Sequence, residues 1–78
     1  MDFAIARPQA RPGITLVELA DHRWRVTRTN GEVLGYLDLI ADGENTRFAA
    51  QRQITNHRGV LPLGEFWNSD DALDCFRP

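Results

Sequence analysis

From Ile14 onward apolar and polar side chains alternate over short stretches, the period of a strand whose successive side chains point to opposite faces of a sheet. Alternation is clear in the first half of 23–29, and the stretches 14–20, 32–41 and 46–53 read as further strands beside it. Asp21-His22, Asn30-Gly31 and Asp42-Gly43-Glu44-Asn45 separate them, residue types that reverse a chain. The pattern predicts an antiparallel meander of about four strands. Ahead of it, Arg7-Pro8, Arg11-Pro12 and Gly13 predict an extended or flexible N-terminal arm over 1–13, which leaves 14–78 as a single domain.

A two-residue type I′ loop at Asn30-Gly31 sets Thr29 opposite Glu32, Val26 opposite Gly35, Trp24 opposite Leu37 and Arg23 opposite Asp38. Closing Ala41 against Thr46 sets Leu39 opposite Phe48 and Leu37 opposite Ala50. One face then collects Val17, Leu19, Trp24, Val26, Val33, Leu37, Leu39, Phe48 and Ala50 as the core, and two independent turns agree on it. Such a face needs a cover. The C-terminus offers a short helix with Asn68 or Ser69 as N-cap and Asp70 and Asp71 in a first turn where the helix dipole favours negative charge. Trp67 is placed to staple onto Ala72, and Ala72, Leu73 and Phe76 share one side, with Arg77 and Pro78 closing the helix. Gly35 leaves room for Trp24 or a helix side chain. Residues 56–66 read as a loop ending in a short extended piece, Pro62 marking an edge. The expected class is α+β, with the helix packed on one face of the meander.

A chain of 78 residues makes one small domain that buries only about 60% of its unfolded surface. Its 42% hydrophobic and 26% charged residues, both signs mixed, are those of a folded protein. A lone cysteine, Cys75, forms no internal disulfide, and neither a signal-peptide pattern nor an apolar run of about 18 residues occurs, so the expectation is a cytoplasmic protein without membrane contact. All nine cations are arginine, the composition expected of a high-GC genome.

Little in the sequence resembles a reaction centre. His22, His57 and Cys75 stand singly with no metal-ligand spacing, and Asp70, Asp71 and Asp74 read as compensation of a helix dipole before they read as a cation site. Cys75 with His57 is the one conceivable nucleophile and base. The thiol, however, falls at the helix end whose dipole disfavours a thiolate, and it reads as a buried structural residue. The glycines form no phosphate loop. No catalytic activity, metal or cofactor is expected.

The opposite sheet face is more informative. The register puts Leu16 and Glu18, Arg23, Arg25 and Thr27, Leu34, Tyr36, Asp38 and Ile40, and Arg47, Ala49 and Gln51 there. Leu16, Leu34 and Ile40 make an apolar strip suited to a protein partner or to a second copy in a homodimer. Arg23, Arg25, Arg47, Tyr36 and Gln51 make the same face an alternative site for DNA or RNA. Local pairing competes with that use, because Arg23 faces Asp38, Glu18 faces Arg25 and Arg25 also faces Tyr36. The net charge of -2 conceals an asymmetry: residues 1–30 hold five arginines and three acids, residues 31–78 four arginines and eight acids. Arm residues Arg7 and Arg11 are therefore expected to reinforce the arginine-bearing face.

Trp24-Arg25-Val26, Val33-Leu34-Gly35-Tyr36 after Asn30-Gly31, and Leu63-Gly64-Glu65-Phe66-Trp67 leading into Asp70-Asp71-Ala72-Leu73 carry a resemblance. The chain resembles small uncharacterised proteins of high-GC bacteria. In layout, residues 14–76 are similar to the sheet-plus-helix DNA-binding domains of plant ethylene-response factors and to the arm-binding domains of phage integrases. That resemblance implies a sheet face that enters a major groove. Taken together, the residues favour a non-catalytic binding module that contacts a protein or itself through this face, with nucleic acid as the alternative.

Overall fold

The computed structural model describes residues 8, 9, 11–54 and 59–76, to which all structural statements refer. Five antiparallel strands lie in chain order, β1 (Ile14–Ala20), β2 (Arg23–Arg28), β3 (Val33–Asp42), β4 (Asn45–Gln53) and β5 (Val60–Phe66), followed by helix α1 (Ser69–Asp74). The expected class is therefore present with one strand more than about four. β5 pairs with β4 from Phe48–Phe66 to Gln53–Val60. It tolerates Pro62, which has no N–H to give, because it is an edge strand.

Three leucines shape the sheet. The pairing skips Leu19 in β1, Leu34 in β3 and Leu63 in β5, each a bulge that shifts the register by one residue. At the β2–β3 connection the loop is not the expected two-residue turn. Arg28 N donates to Glu32 O at 2.8 Å and Gly31 N to Arg28 O at 2.9 Å, so three residues form the loop. Gly31 alone takes a positive φ, 94°, while Asn30 does not; this is the longer hairpin in which a type I turn ends on a left-handed glycine. Thr29 thus does not oppose Glu32. The extra loop residue is cancelled by the bulge at Leu34, and Val26–Gly35, Trp24–Leu37 and Arg23–Asp38 pair as the sequence predicts. Between them, Thr27 pairs with Val33, which puts Val33 on the outer face, whereas Leu34 packs against the core.

In β1 a bulge has the opposite outcome. Ala20 and Arg23 flank the expected Asp21-His22 turn, with His22 at φ 67°, but skipping Leu19 brings Glu18 opposite Trp24 and Leu16 opposite Val26. Leu16 therefore packs against the core, and Val17 and Leu19, 42% and 40% exposed, do not. The core assignments of Val17 and Val33 and the outer-face assignments of Leu16 and Leu34 are reversed, and Leu19, skipped by the pairing, leaves the core. Beyond the second turn, β3 and β4 pair as expected, Leu37 with Ala50 and Leu39 with Phe48.

The core unites Ile14, Trp24, Val26, Leu37, Leu39, Phe48 and Ala50 of the sheet with Ala72, Leu73 and Phe76 of the C-terminal segment. Each fully buried large side chain among them, Phe48, Leu37, Leu73 and Val26, stabilises the fold by roughly 1.5–3 kcal/mol. Asn68 caps α1: its Oδ1 accepts from Asp71 N at 2.8 Å, and Asp70 and Asp71 lie in the first turn as anticipated. Trp67 stays 70% exposed, so the anticipated staple onto Ala72 is not formed. Six helical residues are too few to stand alone in water, and packing on β4 and β5 supplies the difference. Arg77 and Pro78 lie outside the described residues. Among the described residues no helix is long and apolar enough to cross a membrane.

Candidate functional site

With α1 on one side, the other side of the sheet is its functional candidate. One row of side chains crosses all five strands on this outer face: Val17, Arg25, Tyr36, Gln51 and Pro62, each the register partner of the next. A second row runs through Arg23, Asp38, Ala49 and Glu65. Ile40 and Arg47 form a further pair beside it.

Of the residues singled out in the sequence, Arg23, Arg25, Tyr36, Ile40, Arg47 and Gln51 share this face. Leu16 and Leu34 belong to the other. Arg11 is turned away as well: its Nη1 lies 2.6 Å from Asp74 Oδ1 and 3.1 Å from Asp70 O, so it ties the turn ahead of β1 to α1 instead of reinforcing the sheet-face arginines. A turn at Pro12-Gly13 directs it there, with Gly13 at φ 84° and Ile14 N donating to Arg11 O at 2.9 Å. Arg7 lies outside the described residues. Val17, Val33, Val60 and Pro62 join the outer face, and sequence reasoning missed them because bulges and a fifth strand placed them there.

Electrostatically, most of the face is closed. Arg23 Nη1 donates to both oxygens of Asp38 at 2.8 Å, and Gln51 Nε2 donates to Asp38 Oδ2 at 3.1 Å. The Arg23 guanidinium also lies over the Tyr36 ring, 4.7 Å from its centroid. Arg23 and Gln51 are thereby gathered around one carboxylate, with the Tyr36 ring under the guanidinium. Arg47 Nε stands 3.1 Å from Glu65 Oε1, an ion pair whose angle falls outside hydrogen-bond geometry.

Arg25 is different. The β1 bulge removes Glu18 from the position opposite it and substitutes Val17. Its Nε is closed off from solvent with no acceptor, and no ion pair reaches its guanidinium among the described residues. A buried donor without a partner costs on the order of 1–3 kcal/mol.

The helix side holds a cleft of about 570 Å³ lined by the Pro12-Gly13 turn, Ile14, the Arg28–Asn30 hairpin, Leu34 and Phe76. Its two arginines are both engaged, Arg11 with Asp74 and Arg28 with Glu32 at 3.0 Å. Cys75 is half-buried and caps α1; burial first, and the Asp74 charge second, push its thiol above the ordinary value, with Arg52 opposing them. His57, its conceivable base, lies outside the described residues. No group of three or more His, Cys, Asp or Glu side chains is placed to hold a metal among the described residues. Comparison with models of protein families, with curated proteins and with solved structures gives no match.

Proposed function

We propose that this protein is a non-catalytic binding module whose outer sheet face docks a partner protein. The observation that carries this reading is the in-place compensation of Arg23 by Asp38 and of Arg47 by Glu65. A surface built for a polyanion leaves its arginines open to phosphate, whereas a protein interface combines paired charges with aromatic and aliphatic area. Tyr36, Ile40, Val17, Val60 and Pro62 supply that area around the pairs.

The test is panning of a random peptide library against the full chain, followed by titration of the selected peptides into isotope-labelled protein. Amide shifts at Arg25, Tyr36 and Gln51 are expected. Peptides that shift only the cleft around Phe76 and Arg28, or a short DNA duplex that shifts the outer face where no peptide does, overturn the reading. Light scattering checks for a second copy as the partner. Ile40→Arg, on the outer face beside Arg47, should return such a dimer to monomer.

A further inference from the structure

The geometry points to Arg25 as the docking position for a side-chain carboxylate, Asp or Glu, on the partner protein. This rests on the protein-binding reading of the face and names what the partner must present. Charge complementarity is the ground for it. The face carries three arginines, and only Arg25 has no carboxylate of its own among the described residues. Its neighbours are chosen in the same sense. Val17 stands on one side and Tyr36 on the other, both in register with it, so an arriving carboxylate meets a guanidinium framed by an aliphatic side chain and an aromatic ring. Such framing lowers the local dielectric and strengthens a charge-assisted hydrogen bond. Of the three Arg25 nitrogens only Nε is sealed from solvent, which leaves the terminal pair to receive the ligand.

A single carboxylate suits this place better than a phosphate chain. Asp38, Asp42 and Glu65 lie on the same face, and a polyanion long enough to cross it would meet them. A protein segment with one acidic residue between apolar ones meets a single open cation and aliphatic surface.

The experiment uses the full chain and the selected peptides. They should carry a recurrent Asp or Glu flanked by apolar residues, and changing that residue to Asn or Gln should weaken binding on the order of tenfold or more. Arg25→Met should weaken the acidic peptide equally, and the amide peptide and Arg25→Met together should cost no more than either alone. Arg52→Met, on the helix side, should change nothing. The peptide substitution needs no altered protein, so a misfolded Arg25 variant does not protect the inference. Peptides that map to the outer face but carry no recurrent acid, or bind equally after its removal, overturn the role of Arg25 and leave the protein-binding function standing. Absence of any outer-face peptide overturns both, and so does a short DNA duplex that displaces the acidic peptide at about 0.15 M salt.

Discussion

The ring of Phe76 fills the space in front of Gly35: a Cβ there would stand 2.7 Å from Phe76 Cε1 and 1.9 Å from the backbone O of Gln51. Gly35 is therefore fixed by closeness of approach, and its φ is not positive. Gly35→Ala is expected to cost about 3 kcal/mol or more, a large share of the roughly 4–12 kcal/mol available to a domain of this size. Urea denaturation measures it. Phe76→Ala should not rescue the variant, because the backbone contact from β4 remains; a rescue would show that the aromatic ring alone excludes a side chain.

Chain reversals and one core face were legible in the sequence because the turn residues and the alternation of β2, β3 and β4 agree. The faces of β1 were not. Leu16, Val17 and Leu19 put apolar residues on both parities, so alternation cannot choose between them, and a bulge leaves no mark in composition. Val33-Leu34 hides a second bulge in the same way. On the outer face, Arg23, Arg25, Tyr36, Ile40, Arg47 and Gln51 were readable from strands whose register survived. The Arg11–Asp74 contact was not, since it joins residues at opposite ends of the chain. The β1 assignment has a direct check. Leu16→Asp should destabilise by about 2 kcal/mol or more, and Val17→Asp by less than about 1 kcal/mol. Thermal melts of the two variants showing the reverse order would restore the unbulged register.

Cys75 gives a pH-dependent expectation. Its thiol is raised by burial and by Asp74, so the folded protein holds the proton more tightly than the unfolded chain does. The unfolded state then binds fewer protons above the ordinary thiol value. The contribution of this group to stability is constant below that value, and stability falls as pH rises through the interval up to the raised one. Alkylation of native protein should accordingly be slower at mildly alkaline pH than in urea. Asp74→Asn should accelerate it by removing one of the two raising influences, and an unchanged alkylation rate would leave burial as the whole cause.

The pairs Arg23–Asp38 and Arg47–Glu65 decide whether the outer face behaves as a protein surface or as a polyanion surface. Their side chains are 23–52% exposed, so each pair contributes less than about 1 kcal/mol to stability, and the variant Asp38→Asn with Glu65→Gln should still fold. Its face then carries Arg23, Arg25 and Arg47 without local carboxylates against them. Binding to a short fluorescent DNA duplex should appear at low salt in this variant and fall as salt rises, with a log–log slope between about -2 and -3 for three phosphate contacts. The unaltered protein should show little anisotropy change under the same conditions. If it binds the duplex as tightly as the variant, the carboxylates do not close the face, and phosphate recognition displaces protein docking as its use.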